Sequence, residues 1–145
     1  MLPGAAAKGT WIADCAAGGG ASFGETEVET TDRFERVRER LRQFVAERDW
    51  DQFHTPKNLA MALVAEAGEL VEHFQWLTPE QSACLPPEAL AEVELEIADV
   101  LLFLFRLCDK LGVDPLASAE RKLELNARRY PVEKARGKAT KYDKL

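Results

Sequence analysis

Two short acidic pairs carry the chemistry that this sequence offers. Glu66 and Glu69 lie in LVAEAGELVEHFQW (residues 63–76), and Glu96 and Asp99 lie in LEIADVLLFLF (residues 95–105). A spacing of three puts both members of each pair on one face of a helix. If the two faces meet, four carboxylates converge, and each close pair at ~4 Å repels by about 4 kcal/mol at an effective dielectric near 20. A cation between them relieves that repulsion. Oxygen-only donors suit a hard divalent ion, and Mg²⁺, with Mn²⁺ as the alternative, keeps open positions for water and ligand phosphates. A single ExxE is ordinarily a solvated face. Two such pairs, each bordering an apolar arc, shift the balance towards a site. His73, one turn beyond Glu69, reads as an orienting or interfacial group rather than as a ligand.

The elements that must hold these acids are helices. On the helix opened by Thr55 and Pro56 and running to about residue 76, Leu59, Leu63, Val64, Leu70, Val71 and Phe74 form one apolar arc. Glu66, Glu69, His73 and Trp76 flank it in a sector about 80° wide. A longer helix over 87–111, stopped by Gly112, repeats the arrangement. Its apolar arc is Val93, Ile97, Val100, Leu104, Leu107, Cys108 and Leu111, flanked by Glu92, Glu96, Asp99, Phe103, Arg106 and Lys110. Leu95, Leu102 and Phe105 add a further apolar face, which predicts a second packing surface. Upstream, Asp32 with Glu35 resembles a capping box, and Phe34, Val37, Leu41, Phe44 and Val45 repeat at helical spacing, so a helix is predicted over about 32–48. Downstream, Asp114 and Pro115 open a helix that ends near Arg129, before Tyr130 and Pro131. No β pattern or internal repeat competes with this all-α reading.

Composition bounds the remaining choices. The 145 residues suffice for one domain, with 46% hydrophobic and 30% charged residues and no apolar run near bilayer length. A net charge of -6 argues against nucleic-acid affinity. Cys15, Cys84 and Cys108 form no CxxC pair, so neither a disulfide framework nor a structural zinc site is indicated, and a reducing cytoplasm is expected. Six of the nine glycines fall in the first 24 residues without helical or strand period, and nothing there reads as a signal peptide. The predicted organisation is a flexible leader over 1–28, a helical catalytic domain over 29–132 and a basic tail over 133–145.

Taken in order, EAGE (66–69) and EIAD (96–99) resemble the ExxE…ExxD signature of the all-α, MazG-like nucleoside triphosphate pyrophosphohydrolases. ERDWDQFHTPKNLAMALVAEAGELVEHFQW and LNARRYP are most similar to the dCTP pyrophosphatase branch of that family, and the resemblance covers about residues 30–142. It implies a four-to-five-helix bundle assembled as a homo-oligomer, a tetramer built as a dimer of dimers with sites between subunits. It implies hydrolysis of a deoxynucleoside triphosphate, dCTP or a modified dCTP, between the α- and β-phosphates. Mg²⁺ would be held by Glu66, Glu69, Glu96 and Asp99, with a metal-activated water as nucleophile. Phosphoryl-type transfer needs charge neutralisation and positioning more than a covalent nucleophile, which agrees. By the same resemblance Trp50 and Trp76 line the base pocket, Lys122, Asn126 and Arg129 reach the substrate from one helical stripe, and Lys141 and Tyr142 close over the site. Nucleotide-pool sanitation is the role expected of the family.

Two positions depart from the branch: Leu41 stands where close relatives have a histidine, and Phe103 stands where they have a tyrosine. Phe103 retains a stacking face but loses a hydroxyl donor, which loosens the implied preference for deoxycytidine. Two other classes compete. A carboxylate-bridged di-metal bundle wants Glu-x-x-His on two helices, and the sequence has no such spacing. A non-catalytic helical assembly module draws support from the additional apolar face of the 87–111 helix.

Overall fold

The computed structural model describes residues 27–144, with the side chains of its first helix from Arg33 onward. The helices, in chain order, are α1 (Glu27–Glu47), α2 (Pro56–Glu72), α3 (Pro79–Ser82), α4 (Pro87–Leu111), α5 (Pro115–Arg129) and α6 (Val132–Ala135). A 3₁₀ turn at Tyr142–Lys144 follows, and no strand occurs among the described residues. The predicted leader lies outside the described residues except at 27 and 28, which belong to α1.

Local chemistry sets most boundaries. The Thr55 hydroxyl accepts the Asn58 N–H at 3.2 Å and Pro56 occupies the first turn, where a missing N–H costs nothing. Asp114 caps α5 by accepting from Leu116 N–H at 2.9 Å and Ala117 N–H at 3.1 Å. Thr78 and Gln81 form a reciprocal capping box that supports α3, a short helix in the connection expected to be a loop. Gly112 ends α4 at φ 63° and ψ 33°, the left-handed region that a residue with a Cβ resists. Two expected boundaries move. Asp32 lies inside α1, which is already helical at Glu27, the first described residue, so it does not cap the helix. α2 closes at Glu72, and residues 73–76 continue it only as turns.

α4 is the spine. α2 packs along it extensively and α1 crosses it, whereas α5 packs against no other helix to a comparable extent. Val45, Leu59, Val93, Phe105 and Cys108 form the buried core, with Phe34 meeting the Phe105 ring edge-on at 4.5 Å. Leu59 and Val93 therefore sit where the apolar arcs place them. Other arc members do not: Val64 and Val71 on α2, and Ile97, Leu104 and Leu111 on α4, are exposed. Phe105, assigned to a further packing surface, is instead in the core, and Leu95 of that face is exposed. A 3.6-residue period marks which residues share a face but not which neighbour covers it. Cys108 is a free, buried thiol of this core.

Candidate active site

The α2–α4 contact brings the acidic stripes together. One carboxylate oxygen each from Glu66, Glu96 and Asp99 lies within 4.8 Å of the others. Glu66 and Glu96 are half-buried and Asp99 is exposed, so the cluster opens to solvent on one side. Burial, followed by the charges of Glu69, Asp99 and Glu96, pushes the Glu66 carboxyl above its ordinary range. Glu69 is exposed and stands outside the group of three, yet its charge is felt by Glu66. The donor chemistry fits a hard divalent cation: three convergent carboxylate oxygens, no sulfur or imidazole among them, and a mutual repulsion that a cation would relieve. His73 Nδ1 faces Glu92 at 3.9 Å across the α2–α4 contact, the interfacial place expected of it.

The other predicted site residues fall into separate groups. Trp50 lies in the loop between α1 and α2, where its ring meets the Phe44 ring edge-on at 5.8 Å and its backbone N–H donates to the Val45 carbonyl at 3.1 Å. Trp76 follows α2 and is 85% exposed, an unusual place for an indole that nothing binds. Phe103, one turn beyond Asp99 on α4, is half-buried. Leu41 joins Val37, Arg40, Phe44 and Leu102 in lining an open groove between α1 and α4. Lys122, Asn126 and Arg129 share a stripe on α5, with Lys122 and Arg129 exposed. Arg129 sits 5.0 Å from the centre of the Tyr142 ring and Lys141 5.9 Å from it, so these three gather. The single chain does not fold this α5 and tail group onto the carboxylates through any extensive contact of α5.

Sequence reasoning missed a charged network at the far end of α4. Asp109, nearly buried, accepts from Arg42 Nε at 3.0 Å and Nη2 at 2.9 Å, and from Arg38. Burial works to raise the Asp109 carboxyl, but the hydrogen bonds from Arg42 and Arg38 outweigh it and leave it below its ordinary range. Arg106 is buried, pairs with Asp51 and donates from Nε to His54 Nδ1 at 3.3 Å. The signal was present in Arg106 and Lys110, which continue the stripe of Glu96 and Asp99, but their partners lie more than 50 residues upstream.

Residues 61–145 match the MazG-like family, and the chain belongs to that family. It is similar to mammalian proteins named dCTP pyrophosphatase 1. The human protein is 44% identical over 114 residues, covering 77% of this chain and 66% of that protein. The mouse protein is 42% identical over 113 residues, covering 77% and 66%, and the rat protein is 44% identical over 135 residues, covering 91% and 76%. The chain thus spans about two thirds of the length of the human and mouse relatives. A crystal structure of a pyrophosphatase from Archaeoglobus fulgidus is 41% identical, with a TM-score of 0.63, over 68% of this chain and 93% of that one. No helix among the described residues is long and apolar enough to cross a membrane.

Proposed function

We propose that this chain is a Mg²⁺-dependent nucleoside triphosphate pyrophosphohydrolase whose substrate is dCTP or a modified dCTP. Water adds across the α–β anhydride, giving the nucleoside monophosphate, pyrophosphate and a proton. The observation that carries the reading is the convergence of Glu66, Glu96 and Asp99 on one exposed spot between α2 and α4, within a chain of the MazG-like family. Glu69, one turn from Glu66 and acting on its charge, completes the metal set in this reading. A bound divalent ion would neutralise phosphate charge and lower the pKa of a water at the reacting phosphorus. The carboxylates would hold that ion and would leave positions on it for substrate and water. Trp50 and Trp76 offer indole faces for a nucleobase, and Phe103 offers a ring without a hydroxyl. Lys122, Asn126, Arg129, Lys141 and Tyr142 supply cationic and polar groups for the triphosphate and sugar. Because α5 packs so little on its own chain, these groups serve a site shared between copies in a homo-oligomer, a tetramer in this reading. Cytoplasmic location belongs to the same proposal, since nucleoside triphosphates are intracellular.

The test is a panel of deoxynucleoside triphosphates with Mg²⁺, scored for pyrophosphate against single phosphate. The expected result is pyrophosphate, fastest from a cytosine nucleotide, with Glu66→Gln or Asp99→Asn slowing release by about a hundredfold or more. Absence of pyrophosphate from every nucleotide, or unchanged rates in both variants, rejects the assignment.

A further inference from the structure

The loop that carries Trp50 is tied to α4 by a relay of charges that the carboxylate chemistry does not use. Asp49 takes a positive φ of 50°, so the chain turns sharply immediately before Trp50. On the side facing α1, the Trp50 backbone N–H is held on the Val45 carbonyl and its indole lies against the Phe44 ring. On the other side, Asp51 pairs with Arg106 and lies 2.8 Å from Lys110 Nζ, which also donates to the Asp51 carbonyl at 3.4 Å. His54, three residues on, accepts from Arg106 Nε. Behind Arg106 stands Asp109 at 3.8 Å, itself gripped by Arg38 and Arg42 of α1. The Arg106 and Asp109 side chains are each only 9% exposed, so neither reorients without leaving a charge unpaired in the interior.

The direction of this relay matters because of where it starts. Asp99, Phe103, Arg106 and Lys110 follow one another at i, i+4, i+7 and i+11, one continuous stripe of α4. The helix that presents two of the acidic residues near its middle therefore grips the Trp50 loop two turns further on. A helix of this length is stiff, so the indole is held at a fixed distance from the carboxylates.

We propose that Arg106, with Asp51, Lys110 and Asp109, is a positioning residue that fixes Trp50 as a wall of the nucleobase pocket and so governs discrimination between bases rather than the chemical step. This rests on the proposed pyrophosphohydrolase activity, because the clamp has a substrate to discriminate only if the site binds a nucleotide.

The mild test is Asp51→Asn, since Asp51 is mostly exposed and its loss does not excavate the core. KM for the preferred nucleotide should rise by about five- to tenfold with kcat changed far less, and the preference over the other bases should shrink. Asp51→Glu should restore both. A merely structural role would lower the melting temperature and scale all substrates alike. An independent arm needs no turnover: in a Trp11→Phe/Trp76→Phe background, Asp51→Asn should increase acrylamide quenching of the remaining Trp50. Unchanged quenching and unchanged base preference overturn the clamp while leaving the pyrophosphohydrolase intact. If the unaltered protein releases pyrophosphate from no nucleotide, the activity falls and the discriminating role with it, and increased quenching would then report only a loop anchor.

Discussion

At the scale of single residues, the carboxyl cluster and the arginine network solve opposite electrostatic problems. Glu66, Glu96 and Asp99 are like charges brought together and need a cation from outside the chain. Arg38, Arg42 and Arg106 surround Asp109, so here the chain itself supplies the opposite charge. His54 reports on the second environment. Burial, followed by the positive charge of Arg106, holds its pKa below the usual 6.5, with Asp51 opposing and Lys110 assisting. Its Nδ1 accepts the Arg106 N–H, so the folded protein keeps the ring neutral while the unfolded chain protonates it near pH 6.5. The stability tied to His54 is therefore present above pH 6.5 and is lost as pH falls from there through the lower folded pKa. Thermal melts between pH 7.5 and 5 should show this loss, and His54→Gln should flatten it by at most about 1.4 kcal/mol per pH unit. A variant whose melting temperature falls as steeply as that of the parent would remove His54 from the account.

At the scale of elements, α4 does most of the organising. It supplies two of the acids, three core side chains and the basic end that holds the Trp50 loop, and its length is set by Gly112. A Cβ at position 112 would meet nothing within 4 Å, so Gly112→Ala introduces no clash and its cost comes from the left-handed backbone alone. The expected loss is about 1 kcal/mol, or roughly a 3 °C lower melting temperature by calorimetry. An unchanged melting temperature would mean that the helix frays at this end without penalty. The helix starts were legible because proline and cap residues act within a few positions along the chain. The helical turns ahead of Asp32 were not, since EVETT has no period that distinguishes it from a loop.

At the scale of the whole molecule, the apolar surface that the single chain leaves uncovered supports the proposed homo-oligomer. Leu90, Ile97, Leu104 and Leu111 recur every seven residues on α4 and are 45%, 51%, 37% and 56% exposed. Met61, Val64 and Val71 line the outer side of α2 and are also exposed. A contiguous stripe of this kind is normally buried against a partner. Light scattering should find the unaltered protein larger than one chain, and Leu104→Asp with Leu111→Asp should drive it towards the monomer with loss of activity. A monomeric and fully active parent protein would sink the shared-site arrangement.

The sequence by itself determined an all-helical chain, most helix ends, and two acidic pairs each sharing a helical face, because capping and periodicity act over a few residues. It also carried the family, through the ordered motifs EAGE and EIAD. Only the tertiary structure decided that Glu66, Glu96 and Asp99 meet while Glu69 stands beside them, because convergence depends on how α2 lies along α4. The same holds for Arg106 reaching Asp51, for Phe105 turning into the core, and for Val64, Ile97 and Leu104 remaining uncovered. Each depends on which face meets which neighbour, and periodicity fixes the face without choosing the neighbour.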